Sequence, residues 1–509
     1  MNSLVGTYTK TSVYGLTSLY CITVLFGIWH HEIWLDEAHH WLLSRDSNSL
    51  QELIKNTRYE GHPILWNVLL YGITRISTNP IWMQLLHVFI ATASVFIFLK
   101  RAPFSILFKL LFVFGYFILF EYTILSRNYG LGLLFTFLAC NYFEHRTEKF
   151  VLIALFLALA CNTHAIFLVL SGCTMVLLFW ERLQDKRLRS SKETWIALFI
   201  FGVGALVAIL QILPPEDTGF FDTAGTASFS EKIPKAIFPF FKGVFILQDM
   251  RLTSFWNTNL LVTISKPIAA IVGILSLLTP YFLFYKNKWL LGYSYFTLFC
   301  VGVFFYITQL SANRYYGVLY VMLIVGLWLQ VYSKKRGLNY IIFEEILKKI
   351  RPILIYTILT LQCIAGVFAY TKDITTPFTT AKIALKYIQD NGFENKTIAT
   401  QSCGGMPLNA YLEGPVYFTK LDSFESFCPW NNPLLKGEQS NEAITLSLEE
   451  LLITKTESII FVSHQPVFNL RKQGEWESLS STINYRFLEK FDESIVSKGT
   501  YYLYEISKE

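Results

Sequence analysis

Charge is the scarcest property of this sequence. Asp, Glu, Lys and Arg supply 16% of its 509 residues, against roughly a quarter in an ordinary soluble domain. So low a share excludes a water-soluble globular protein of this length. Neither sign dominates: 43 basic and 37 acidic residues leave a formal charge of +6. The basic residues stand in short clusters between apolar runs, as topology signals do, which argues against nucleic acid as a partner. Cysteine is sparse too. Of eight, Cys21, Cys140, Cys161, Cys173, Cys300 and Cys363 lie in apolar runs, where cysteine acts as a small core residue. Cys403 and Cys428 do not, and are open either to a disulfide or to two free thiols. No internal repeat or low-complexity segment stands out.

Apolar and aromatic residues fill the space that charge leaves: 53% of the chain is hydrophobic, 17% aromatic, and the mean hydropathy is +0.40. An integral membrane protein follows, in contact with a lipid bilayer. Apolar runs at 12–30, 63–77, 80–99, 103–125, 127–143, 150–180, 194–213, 260–285, 289–309, 314–332 and 352–371 make eleven expected spans. The run 150–180 is long for one span and carries Asn162-Thr163-His164 in its middle, so two half-helices are an alternative. Lys10 before an uncleaved first helix predicts a cytoplasmic N-terminus. The clusters Arg182 to Lys192 and Lys334 to Arg351 then fall inside, as positive charge should; Lys100, Arg101 and Lys109 do not. The expected fold is an all-α polytopic bundle over 1–371 with a small extracytoplasmic α/β domain over 372–509, its strands near 397–401, 416–419, 458–463, 485–491 and 501–506 and its helices near 379–391 and 447–454.

Two outward loops are expected, at 31–62 and 214–257. The second opens Pro214-Pro215-Glu216-Asp217, has little periodicity, and carries seven Phe between 220 and 245 that suit lipid or substrate. The first holds the chemistry. It contains Trp34-Leu-Asp36-Glu37-Ala-His39-His40-Trp41, and it ends in Tyr59-Glu60-Gly61-His62-Pro63. A helix over 36–46 would set Trp34, Leu35, Trp41, Leu42 and Leu43 in the membrane interface and turn its acids and histidines to water. Ser49 and Glu52 open a second short helix by a capping box. Asp36 and His40 share a face, and Glu37 flanks His40. Alone, the acid pair reads as a solvated helix start. Paired with Glu60 across one short loop at a bilayer surface, it points to function.

Asp36-Glu37 after the first span, Glu60-Gly61-His62-Pro63 entering the second, Arg127-Asn128-Tyr129 and Arg314-Tyr315-Tyr316-Gly317 together resemble the GT-C superfamily of polytopic glycosyltransferases, in the branch of protein O-mannosyltransferases and the lipid A aminoarabinose transferase. The resemblance covers about 10–370. It implies an inverting transfer from a polyprenyl-phosphate sugar donor to a hydroxyl acceptor, with Asp36 as general base, Glu37 beside it, and Glu60 holding substrate or a divalent ion. Arg314 and Arg127 are the candidate phosphate clamp, with His62, His40, Tyr129 and Tyr315 completing the substrate site. The chain departs from the pattern in carrying His39 and His40 after the acids and no Lys beside Glu60. Glu60, His62 and His164 are metal-binding residue types without a fixed ligand spacing, so a divalent metal is left open. The expected setting is a bacterial inner membrane. Competing expectations are a lipid or glycan transporter or flippase, which would scatter polar residues through several spans, and a non-catalytic envelope assembly protein.

Overall fold

The computed structural model describes residues 10–215, 228–333, 344–454, 456–470, 473–496 and 499–509. Glu216, Asp217, Phe220 and Phe221 of the second loop, and Lys334, Lys335 and Arg336 of the second basic cluster, lie outside the described residues. The helices run α1 Lys10–His30, α2 Leu35–Asp46, α3 Leu50–Asn56, α4 Leu65–Thr74, α5 Ile81–Arg101, α6 Ile106–Val113, α7 Asn128–Cys140, α8 Phe150–Cys161, α9 Ala165–Leu183, α10 Lys186–Arg189 and α11 Lys192–Ile212. They continue with α12 Phe229–Val244, α13 Leu260–Ile264, α14 Lys266–Ser276, α15 Thr279–Phe284, α16 Lys288–Thr308, α17 Asn313–Tyr332, α18 Glu344–Thr375, α19 Ala381–Asp390, α20 Met406–Asn409 and α21 Asn441–Thr454. Among the described residues, eight helical segments are long and apolar enough to cross a bilayer, with α14 and α15 counted as one, and α4, α7 and α8 are shorter apolar helices. This is a multi-pass membrane architecture.

Burial separates the helices by role. On α11, Phe199 is 72% and Leu210 62% exposed; apolar side chains left open in such a belt require lipid rather than water. By contrast α17 is buried along nearly its whole length. It forms the bundle's axis, and its first turn delivers Arg314 to the site.

The run 150–180 takes its alternative reading, two helices α8 and α9, where the His164 ring caps α9 by accepting from Ile166 N at 3.1 Å. Two expectations are corrected. The run 103–125 breaks after α6 into a π-helical turn over Phe117–Glu121. The second loop is not structureless: α12 starts at a Ser228/Glu231 capping box and packs its apolar face on α16 and α17. Pro234 and Pro239 lie inside it, where each removes a backbone donor, and tertiary packing overrides that cost.

The C-terminal region is a seven-stranded sheet of β1 Thr397–Thr400, β2 Val416–Phe418, β3 Ser423–Glu425, β4 Ser458–Ser463, β5 Trp476–Ser478, β6 Ile483–Phe491 and β7 Tyr501–Lys508, in the order β3-β2-β1-β4-β7-β6-β5. β1 is parallel to both β2 and β4 and the other pairs are antiparallel. Alternation places Ile459 and Phe461 of β4 in a core with α21, and Ile460 and Val462 in one with α19. Cys403 and Cys428 are joined in a disulfide.

The sheet is docked on the first loop rather than tethered beside it. Trp41 of α2, Trp66 of α4, Met406 and Phe418 share one apolar cluster. Arg45 Nη1 donates to Leu412 O at 2.7 Å, and Lys382 N donates to Glu32 Oε2 at 2.9 Å. Here the expected interfacial helix is corrected as well. Glu37, His39 and His40 are buried, because α2 is a layer between bundle and sheet.

Candidate active site

The site is built from Glu37 outward. Its Oε2 accepts from Trp34 N at 3.1 Å, which closes the start of α2, and lies 3.1 Å from His31 Nε2. Its Oε1 accepts from Ser126 N at 2.5 Å. His31 Nδ1 in turn lies 2.9 Å from Asp373 Oδ2. Although burial opposes it, Asp373 and Glu37 push His31 up to about 10, so an imidazolium bridges the two carboxylates. Both oxygens of Glu37 are thus committed to holding α2 against the bundle. It is placed as a positioning residue for its neighbour, not as a second free carboxylate.

Asp36, one residue earlier, projects elsewhere. Its Oδ2 lies 3.0 Å from Arg127 Nη1 and 3.3 Å from Arg314 Nη2, and its side chain keeps 27% exposure. Burial would raise its pKa, yet the Arg127 and then the Arg314 guanidinium hold it below the ordinary carboxylate range. Arg127 immediately precedes α7, where His87 pins the backbone: its ring nitrogens lie 2.9 Å from Thr123 O and 2.8 Å from Arg127 O. The Arg314 guanidinium lies over Trp34 (5.1 Å), Trp256 (5.7 Å) and Tyr315 (4.8 Å). Two guanidiniums face one carboxylate, so one positive charge is left over. The buried Nε atoms of both arginines have no hydrogen-bond partner among the described residues. The arrangement is suited to an incoming anion.

The imidazoles form a wall beside this cluster. The His62 ring lies 4.4 Å from that of His164 and 6.2 Å from that of His40, and the Tyr129 ring lies tilted 4.6 Å from His164 and edge-on 6.3 Å from Tyr315. Gly61, at φ +64°, makes the turn that brings His62 in. Burial, reinforced by Arg127, pushes His62 down to about 3 and His40 likewise below its usual value, so both rings are neutral. Because His164 Nδ1 accepts from Ile166 N, its Nε2 carries the proton and donates to the Tyr129 hydroxyl at 3.1 Å.

The set Glu60, His62 and His164 does not assemble as metal ligands. Glu60 Oε1 is 2.6 Å from His39 Nε2, and both His164 nitrogens are used as above. Among the described residues no group of three His, Cys, Asp or Glu side chains is arranged to hold a metal ion. His39 in turn links the loop to the sheet domain, the Trp430 indole N–H donating to its Nε2 at 2.9 Å.

Several participants were missed in the sequence. Trp256 comes from the second loop, and Glu121 Oε2 holds it by accepting from Nε1 at 3.1 Å. Glu121 did carry a signal, as a lone acid in the apolar run 103–125. Trp256 and Asp373 carried none. Beside the cluster opens a cavity of about 860 Å³ between the first loop, the second loop and the sheet; Trp34, Leu35, Trp256 and Trp430 are in its wall. No protein-family model matches the chain, and no curated protein matches it at a significant level.

Proposed function

We propose that the chain is a membrane glycosyltransferase of the GT-C kind, moving a sugar from a polyprenyl-phosphate donor to a hydroxyl on a protein, lipid or glycan acceptor. The supporting observation is the meeting of Asp36, Arg127 and Arg314 at one point beside a large cavity. The donor phosphate would take the place of Asp36 on the two guanidiniums, freeing the carboxylate. The acceptor oxygen then attacks the anomeric carbon from the side opposite the phosphate as Asp36 takes its proton, and the bond from that carbon to the phosphate oxygen breaks. Polyprenyl phosphate leaves with the bonding electrons, and the anomeric centre inverts. Neutral His62 and His40 leave the net positive charge at the arginines, where it acts on the departing anion. Glu60 acts through His39 on the position of the loop, and Tyr129 and Tyr315 border the donor's path.

In this scheme α1, α5, the run 103–125, α7, α8, α9, α11, α14 with α15, α16, α17 and α18 make eleven passes, while α4 lies along α2, Thr74 Oγ1 donating to Ser44 O at 3.1 Å. The N-terminus is cytoplasmic, the sheet domain extracytoplasmic, and the membrane a bacterial inner membrane. In proteoliposomes supplied with polyprenyl-phosphate mannose or polyprenyl-phosphate arabinose, we expect release of polyprenyl phosphate. Asp36→Asn should reduce it by about a hundredfold or more while folded yield and melting midpoint stay near those of the wild type. Full turnover by a folded Asp36→Asn protein would show that Asp36 is not the base.

A further inference from the structure

We infer that the cavity between the sheet domain and the first loop binds a neutral oligosaccharide, the acceptor glycan of the proposed transfer. Only the direction of transfer rests on the glycosyltransferase proposal; the binding does not.

The topology of the sheet makes the first case. From β1 the chain passes to β2 on one side, and later returns to β4 on the other, both parallel to β1. The chain order therefore reverses at β1, and in sheets with parallel strands ligands bind outside the carboxyl ends at such a point. Gln401 and Ser402 directly follow β1, Lys420 follows β2, and His464 and Gln465 directly follow β4; all five line the cavity. The loops after β1 and β4 are joined by a hydrogen bond from Ser463 Oγ to Gln401 Oε1 at 3.0 Å.

The chemistry of the walls makes the second. A sugar ring offers apolar C–H faces to aromatic planes and a rim of hydroxyls to neutral donors and acceptors. The cavity meets those needs with three indoles, Trp34, Trp256 and Trp430, and with the amides of Gln401 and Gln465. Its charges cancel, one Lys420 against one Glu438. Lys420 Nζ is already engaged, donating to Leu435 O at 3.0 Å and to Gly437 O, so a phosphate or carboxylate finds no dedicated cation. An extended peptide would instead pair along a sheet edge, here β3 or β5. The volume of about 860 Å³ falls toward the upper end of the roughly 300–1,000 Å³ typical of single-ligand sites. Trp34 and Trp256 line the cavity and also pack on Arg314, so a glycan seated there would lie against the indoles that border the arginine cluster.

The test uses the full chain in nanodiscs, with tryptophan fluorescence titrated by mannotriose, maltotriose and chitotriose, and by a Ser/Thr-rich hexapeptide and inorganic phosphate as comparisons. At least one trisaccharide should give a saturable change. Gln465→Ala, on an exposed loop, and Gln401→Ala should each weaken its apparent Kd about tenfold. The inference is overturned by no saturable response to any trisaccharide, by a response indifferent to both Gln variants, or by displacement of the sugar by the peptide or by phosphate. Asp36-dependent release of polyprenyl phosphate without trisaccharide binding would remove this inference alone. Trisaccharide binding without donor turnover would remove only the transferase proposal.

Discussion

Asp36 and Glu37 are adjacent and chemically alike, yet one faces two guanidiniums while the other is consumed by Trp34, His31 and Ser126. The difference is the 100° turn between successive helical positions, which sends one carboxylate to the cluster and the other back to cap its own helix. Residue type and spacing marked the pair, and only the resemblance to a family ranked Asp36 over Glu37. A third acid, Glu32, is buried under the sheet domain. Burial pushes its carboxyl up to about 7, against the hydrogen bond from Lys382 N and the charge of Lys382. Its folded value lies above the ordinary 4.5, so the folded protein holds this proton more tightly than the unfolded chain does. Glu32's contribution is therefore fully present below about pH 4.5 and is lost as pH rises through 7. Glu32→Gln keeps an acceptor for Lys382 N and cannot ionise. Between pH 5 and pH 8 the wild type should lose up to about 3 kcal/mol relative to this variant, seen as a melting midpoint falling behind by a few degrees. Parallel pH profiles for the two proteins would refute the assignment.

At the scale of elements, α2 shows most clearly what periodicity can and cannot say. A helix close to 36–46 with Trp41 and Leu42 on an apolar face was legible. That its polar face is covered as well was not, since the cover is supplied by residues near 406 and 430, far along the chain. The strands at 397, 416, 458, 483 and 501 were legible for the opposite reason: each alternates or is continuously apolar within itself. If Glu37 is the tether of α2, Glu37→Ala leaves the Ser126 and Trp34 N–H groups without their acceptor and His31 with Asp373 alone. Loss of a buried, hydrogen-bonded charge of this kind costs about 3–5 kcal/mol. A sharp fall in folded yield and melting midpoint is expected, and an unchanged midpoint would show that α2 is held by something else.

For the molecule as a whole, sidedness is the open physical variable, and the scheme above fixes it. A cysteine introduced at Lys186, in the exposed basic turn α10, should react with a membrane-impermeant maleimide only after cells are lysed. One introduced at Leu434, on the sheet domain, should react on intact cells. Labelling in the reverse pattern would invert the proposed orientation. The chain's own cysteines interfere little, since Cys403 and Cys428 are paired and the others are buried or only partly exposed.

Composition and periodicity alone determined that this is a membrane protein with helices in apolar runs, a chemically dense first loop and a strand-rich C-terminal region. Each of those properties is written in residues close together in the chain. Tertiary structure decided which acid faces the arginines, which histidines became caps and hydrogen-bond partners rather than open metal ligands, and that a cavity lies between loop and sheet. Those outcomes depend on distances of about 3 Å between side chains from separate helices and loops, which only the packing of the bundle against the sheet sets.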